Sequence, residues 1–196
     1  MRTIHLVHGF NETHPVQKPS IACLKPMLRH RGFKVMIHDY GKLNLVETTA
    51  NNNLARLIYP HVADGDTLIG FSNGAAIVAH LQSMGVRTPK IILIQPALSN
   101  TWRPNSSCMS VSVLWNPHDL ATLAGKWYRR FTGLMPWRWQ DKHHWGEMGH
   151  TGYVGGDTRY LQYQTDTTED MPVVTGHSDW ALPKNRDWWE LIANNA

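Results

Sequence analysis

Short apolar runs alternate with amphipathic stretches through the first 120 residues of the chain. The apolar runs predict strands. The stretches between them, in which apolar residues are spaced three and four apart, predict helices. The predicted strands lie at 3–7, 33–38, 68–71, 90–95 and 111–115, and the predicted helices at 19–31, from about 44, and at 75–84. This alternation predicts a doubly wound α/β fold with a mostly parallel central sheet of about five to six strands flanked by helices.

The second part of the chain loses this alternation. Residues 120–170 are rich in tryptophan, glycine and histidine, so we expect an irregular, aromatic-rich insertion there. The run at 171–174 predicts a short last strand. Residues 183–194 predict a closing helix with Pro183 in its first turn, anchored by Trp188 and Trp189. A chain of 196 residues is expected to form one domain, residues 1–196.

The composition and charge limit the class of protein further. With 42% hydrophobic and 17% charged residues the chain is predicted to be globular. Its formal charge of +4 is not gathered into a run of like charges, so nucleic-acid binding is not expected. The first residues lack the pattern of a signal peptide and no apolar run is long enough for a membrane span, which predicts a cytoplasmic protein. Cys23 and Cys108 are expected to be free thiols.

The sequence Gly70-Phe-Ser72-Asn-Gly74 matches the pattern G-x-S-x-G between a predicted strand and a predicted helix. A serine at the tip of such a sharp turn needs neighbours without Cβ, so that strand and helix can approach closely. We therefore predict that Ser72 is a nucleophile. An ordinary exposed serine in a tight turn is the alternative interpretation.

A serine hydroxyl needs a base to take its proton and a carboxylate to orient that base. Asp119 follows the strand at 111–115 directly, which places it on the same rim of the sheet as Ser72. A helix cap or a local turn is the alternative role for this carboxylate.

The base is to be chosen from twelve histidines. His177 lies in a polar turn just after the predicted last strand, so we predict that it is the base. His5, His38, His80 and His118 are expected to serve elsewhere, and the competitors that remain are His143, His144 and His150.

Negative charge that develops on a substrate oxygen needs two preorganised N–H donors. The backbone N–H of Asn73 is the first predicted donor. The N–H of Phe10 is the second, because the turn His8-Gly9 follows the first strand and its glycine lets a substrate approach the backbone.

These pieces together resemble the α/β-hydrolase superfamily, in particular small esterases and lipases with a His-Gly oxyanion turn. The resemblance implies a compact α/β-hydrolase fold and a nucleophilic serine that forms an acyl-enzyme. The chain begins at the strand that carries the oxyanion turn, so the family's usual first two strands are not expected. Residues 120–170 match nothing in the family pattern.

Two interpretations of 120–170 stay open. Its tryptophans could line an apolar pocket, or they could pack the edge of a small sheet. The histidines at 143–150 could suggest a metal site, but Gly146 and Gly149 oppose the helix that such spacing needs, so no metal is predicted.

The chain is thus predicted to be a serine hydrolase that cleaves a small carboxylic ester through a Ser-His-Asp triad, with no cofactor. The alternatives are an amidase or thioesterase with the same triad, and a non-catalytic binding protein of the same fold. Acyl and alcohol specificity and oligomeric state stay open.

Overall fold

A single sheet of six parallel strands occupies the centre of the described structure. The computed structural model describes residues 2–9, 20–40, 50–124, 146–166 and 171–196. The strands are β1 Thr3–Val7, β2 Lys34–His38, β3 Thr67–Phe71, β4 Lys90–Ile94, β5 Ser110–Trp115 and β6 Tyr160–Gln164. They lie in the order β2-β1-β3-β4-β5-β6, so their carboxyl ends share one rim. The mostly parallel sheet predicted from the sequence is confirmed.

Helices cover both faces of this sheet. They are α1 Leu24–His30, α2 Ala50–Ile58, α3 Asn73–Ser83, the short α4 Met148–Thr151 and α5 Arg186–Asn195. Two buried apolar clusters form the core, one beneath α1 and α5 and the other beneath α2 and α3. Leu6 of β1 belongs to the first cluster and Val7 to the second, as expected when successive side chains point to opposite faces. No helix within the described residues is long and apolar enough to cross a bilayer.

Two predicted helices have different bounds in the structure. A 3₁₀ turn, Ile21–Cys23, precedes α1 and is capped by the side chain of Ser20. Pro26 therefore falls in the first turn of α1, where its missing N–H leaves no intrahelical bond unmade. The closing helix likewise begins with a 3₁₀ turn, Pro183–Asn185. The predicted start of the second helix near 44 lies outside the described residues.

The last strand of the sheet was predicted wrongly. Residues 171–174 form no strand, although Val174 donates one backbone hydrogen bond to the carbonyl of Thr165 at 3.0 Å. The sixth strand is instead β6, inside the segment expected to be irregular. It lies at the edge of the sheet with Leu161 48% exposed, so it carries tyrosines and glutamines rather than an apolar run. Because this pattern is polar, the search for apolar runs could not detect β6.

The closing helix is anchored by its tryptophans as predicted. Trp188 is fully buried and donates its indole N–H to the carbonyl of Pro172 at 2.7 Å. Trp189 donates to the carbonyl of Trp180 at 2.8 Å. These bonds tie the end of the chain to the segment 171–180, which follows the sheet.

The glycines around Ser72 have the steric role that the sequence predicts. A Cβ on Gly74 would lie 2.1 Å from the carbonyl oxygen of Val7, and one on Gly70 would lie 2.9 Å from the backbone of Ala75. Carbon atoms cannot approach backbone so closely, so β1, β3 and α3 meet only because these side chains are absent.

We expect Gly74→Ala to lower the free energy of unfolding by at least about 3 kcal/mol, because the new methyl group overlaps rigid backbone of β1. Urea denaturation measures this change. Gly156→Ala is the matched control, since no atom lies within 4 Å of its added Cβ. Equal stability of the two variants would contradict the close approach.

A chain of hydrogen-bonded polar side chains links the first three strands. His5 of β1 donates from Nε2 to Asp66 at 3.0 Å, so its Nδ1 accepts from Nε2 of His38 at 2.9 Å. Asp66 also accepts from the backbone N–H groups of Thr3 and Ala63, each at 2.9 Å. Burial, together with the nearby His5 and His61, lowers the pKa of His38 to about 4. His5 is therefore a buried residue of the core and His38 a half-buried residue, and both serve outside the candidate site, as the sequence predicts.

This arrangement predicts a pH-dependent stability. Between pH 6.5 and about 4 the unfolded chain binds a proton at His38 that the folded chain does not, so the free energy of unfolding falls as the pH drops through this window. His38→Gln keeps a donor toward His5 but cannot titrate, and we expect a flatter dependence. Urea denaturation at several pH values measures it.

His30→Gln, a change at an exposed histidine on α1, serves as the control and should keep the wild-type slope. An unchanged slope in His38→Gln would refute the assignment of this pH dependence to His38.

Candidate active site

Ser72 occupies a strained turn between β3 and α3. Its backbone has φ 53° and ψ −120°, a region that residues with a side chain seldom adopt. Its N–H donates to the carbonyl of Ile94 at 3.0 Å, and its carbonyl accepts from Ala75 and Ala97 at 3.1 Å each. These bonds to β4, to the loop after β4 and to α3 hold the serine at the carboxyl rim of the sheet.

The two oxygens of the Asp119 carboxylate contact different partners. Oδ1 accepts from the backbone N–H groups of Ala121 and Thr122, each at 3.1 Å, and so caps the helical residues 120–124. Oδ2 lies 2.8 Å from Nδ1 of His177. The side chain is fully buried. The cap and the contact with a histidine, which the sequence presents as alternatives, are both present.

His177 connects Asp119 to Ser72. Its Nε2 lies 2.7 Å from the Ser72 hydroxyl oxygen. Because the carboxylate requires a proton on Nδ1, Nε2 carries a lone pair and accepts from the hydroxyl. The ring stacks on Phe71 with 5.1 Å between centroids, and its side chain is 20% exposed. An unbroken hydrogen-bond chain thus joins residues far apart in sequence.

The other histidines that the sequence analysis considered and the structure describes lie in surroundings different from that of His177. His5 and His38 belong to the hydrogen-bonded chain described above, and His80 is buried within α3. His118 has a side chain that is 71% exposed and lies 3.4 Å from Asp166. His150 lies on α4, while His143 and His144 fall outside the described residues.

The turn after β1 lies directly against the serine. A Cβ on Gly9 would come within 3.0 Å of the Ser72 Cβ. The Gly9 carbonyl accepts from Nδ1 of His8 at 2.8 Å and from the Tyr40 hydroxyl at 3.3 Å. The Tyr40 ring stacks on His8 with 3.9 Å between centroids, and burial lowers the pKa of His8. Phe10, the predicted second N–H donor, lies outside the described residues.

The residue after the serine is held by a pair of buried amides. Asn73 and Asn51 of α2 each donate to the other's side-chain oxygen at 2.9 Å, and both are almost fully buried. This pair joins the first turn of α3 to the first turn of α2. Asn73 is therefore fixed from two directions, by its helix and by its side chain.

Two of these contacts were missed in the sequence analysis. Tyr40 follows the second strand, so the rule that loops at the carboxyl rim carry functional groups could have drawn attention to it. Asn51 stands in a run of three asparagines, and nothing in that run marks which one is buried.

No group of three or more histidine, cysteine, aspartate or glutamate side chains within the described ranges is placed to hold a metal ion. The sequence analysis considered residues 143–150 for a metal site. Within this segment, Glu147 lies immediately before α4 and His150 lies within α4. Residues 125–145, which hold all four tryptophans of the insertion, are not described, so both a pocket wall and edge packing stay predictions.

Comparison with known proteins identifies the fold. No protein-family model matches the sequence, and no curated protein matches it. Among solved structures, alpha/beta hydrolase domain-containing protein 10 from mouse matches with a TM-score of 0.58 and 11% identity, over 98% of this chain and 86% of that one. An extracellular alpha/beta-hydrolase from a Paenibacillus species matches with a TM-score of 0.52 and 11% identity, over 100% of this chain and 99% of that one. The chain has the α/β-hydrolase fold.

Proposed function

We propose that this protein is a serine hydrolase that cleaves small carboxylic esters through an acyl-enzyme. Ser72 is the nucleophile, His177 the general base and then the general acid, and Asp119 orients His177. One observation carries the proposal: the hydrogen-bond chain from the Ser72 hydroxyl through both ring nitrogens of His177 to the buried Asp119 carboxylate. A serine, a histidine and an aspartate on three separate loops need no such alignment for stability alone.

The first half-reaction follows from these contacts. The Ser72 oxygen attacks the carbonyl carbon of the ester while its proton moves to Nε2 of His177, 2.7 Å away. The imidazolium so formed is stabilised by the Asp119 carboxylate. When the tetrahedral intermediate collapses, the bond to the alcohol oxygen breaks and His177 returns the proton to the departing alcohol.

The second half-reaction repeats these steps with water in place of the serine hydroxyl. His177 takes a proton from water, whose oxygen attacks the acyl carbon bound to Ser72. The ester bond to the serine then breaks, the proton returns to the Ser72 oxygen, and the carboxylic acid leaves. The partial exposure of the His177 ring supports this step, since water must reach it.

The negative charge on the substrate oxygen is assigned to the N–H groups of Asn73 and Phe10. The N-terminus of α3 adds its dipole at Asn73. The second donor is assigned to the turn after β1 because Gly9 lies directly against Ser72. Loss of one such donor typically raises the barrier by about 3 kcal/mol.

The leaving group is the least constrained part of the proposal. The same three side chains could cleave an amide or a thioester, so the choice of ester rests on the resemblance to small esterases. The Paenibacillus enzyme is described as sharing structural and functional homology with tobacco salicylic acid binding protein 2. That description concerns a protein with 11% identity, so the fold alone connects it with this chain.

Labelling with a fluorophosphonate probe tests the nucleophile. We expect the wild-type protein to be labelled and Ser72→Ala to remain unlabelled and folded, because the alanine removes the attacking oxygen. Hydrolysis of p-nitrophenyl esters of increasing chain length, with the matching anilides and thioesters, then identifies the leaving group.

Full turnover in Ser72→Ala would refute the assigned nucleophile. A folded wild-type protein that is neither labelled nor active would instead favour the non-catalytic binding protein.

Asp119→Asn separates the two roles of this side chain. Asparagine keeps an oxygen for the cap on 120–124 but presents an amide group that cannot accept from His177. We expect turnover to fall roughly 10⁴-fold with little change in the free energy of unfolding. Ester hydrolysis and urea denaturation measure the two effects.

Asp119→Ala is the comparison, because it loses the cap as well and should be less stable by about 1 kcal/mol. Wild-type turnover in Asp119→Asn would show that the carboxylate does not orient the base.

A further inference from the structure

The stretch that carries His177 belongs to no helix or strand. Residues 171–178 lie between the end of the sheet and the 3₁₀ turn Asp179–Ala181. Val174 N–H donates to the carbonyl of Thr165, and the carbonyl of Gly176 accepts from Asp179 N–H at 3.2 Å. No ladder of backbone bonds runs through this part of the described structure, so the position of the His177 ring depends on what holds the backbone before it.

Asn116 holds this backbone from the end of β5. Its side-chain Nδ2 donates to the carbonyl of Val174. Its Oδ1 accepts from the N–H of His118 at 2.8 Å, and its own carbonyl accepts from the N–H of Asp119 at 2.9 Å. The residue is fully buried. One side chain therefore joins the turn that carries Asp119 to the stretch that carries His177.

Gln95 approaches the same stretch from the end of β4. Its Nε2 donates to the carbonyl of Gly176 at 3.5 Å, a long hydrogen bond. The opposite amide orientation would place oxygen against oxygen, which supports this assignment. Its Oε1 is buried and has no hydrogen-bond partner among the described residues.

The backbone of Gln95 is also strained. Its φ is 41°, and within the described residues Ser72 is the only other non-glycine residue with a positive φ. Phe71 pairs with Ile94 in the sheet, so the two strained residues leave neighbouring strands side by side. Strain of this kind persists where the surroundings require it, and it is common at functional sites.

We infer that Asn116 and Gln95 are positioning residues for His177. From the ends of adjacent strands they hold the carbonyls of Val174 and Gly176, and so they set the ring between the Ser72 hydroxyl and the Asp119 carboxylate. This inference rests on the proposed function. Its physical basis is that a misplacement of about 1 Å at a reacting group can cost about 10²-fold in rate.

Asn116→Ser is the direct test. The serine oxygen can still accept from the N–H two residues later, so the turn before Asp119 persists. The short hydroxyl cannot reach the carbonyl of Val174. We expect kcat to fall about 10²-fold with KM little changed, because the base is misplaced while the substrate pocket is not.

A spectroscopic measurement reports the position of the base without turnover. The proton between Nδ1 of His177 and the Asp119 carboxylate should give a far-downfield proton NMR resonance, assigned by its loss in His177→Gln. We expect this resonance to shift or broaden in Asn116→Ser.

Asn105→Ser is the matched control. Asn105 also accepts from the N–H two residues later, at Ser107, and its Nδ2 donates to the carbonyls of Gln82 and Val86 at 3.1 and 2.9 Å. The same substitution there removes half-buried donors near the C-terminal end of α3, whereas Ser72 lies at its N-terminal end. It should lower stability while leaving kcat and the resonance unchanged.

If Asn116→Ser does not fold, Gln95→Met replaces it, with Gln82→Met as its control. Both changes remove a buried amide of the same length, and the Gln82 Nε2 donates to Thr88 at 2.8 Å away from the site. A long hydrogen bond is weak, so we expect Gln95→Met to change kcat and the resonance less than Asn116→Ser would. Gln82→Met should change neither.

A wild-type resonance in Asn116→Ser, or in Gln95→Met where that variant replaces it, would overturn the inference. A wild-type protein without labelling or turnover would refute the proposed function, and the resonance would still decide whether these amides position His177.

Discussion

The strained turn at Ser72 is the constraint on which the rest of the site depends. A positive φ at a residue with a side chain is costly, so the surrounding backbone must hold it. Here β4 and the loop after it bind the serine's N–H and carbonyl, and the side-chain-free faces of Gly70 and Gly74 let β1 and α3 close on it. The close packing that makes the turn possible also brings Gly9 to the serine.

Buried amide side chains carry much of the remaining organisation. Asn51 pairs with Asn73 beside the serine, and Asn116 joins the turn of Asp119 to the stretch before His177. Amides suit this task because each offers a donor and an acceptor without a charge that would have to be buried. The loops at the rim are thereby held by directional bonds where the sheet's own ladder has ended.

The local pattern of the chain was sufficient for much of the fold and for the shared rim of two of the three central side chains. The strands at 3–7, 68–71 and 111–115 have unmistakable apolar runs, and the parallel arrangement they predict places Ser72 and Asp119 on one rim. The pattern failed at β6 and at 171–174. An edge strand with one open side need not be apolar, and an apolar residue such as Val174 can be buried although its segment joins no sheet.

The sequence by itself determined which residues could supply the chemistry, because the sharp turn at Ser72 requires its two glycines and the order of strands and loops limits the choice of carboxylate. Only the tertiary structure decided that His177 contacts both Ser72 and Asp119. It also decided which polar side chains contact the loops around them, namely Tyr40, Asn51, Asn116 and Gln95. Those contacts join positions that lie far apart along the chain. Local propensity and periodicity describe neighbours in sequence, and they hold no information about which distant side chains a folded rim brings within hydrogen-bond distance.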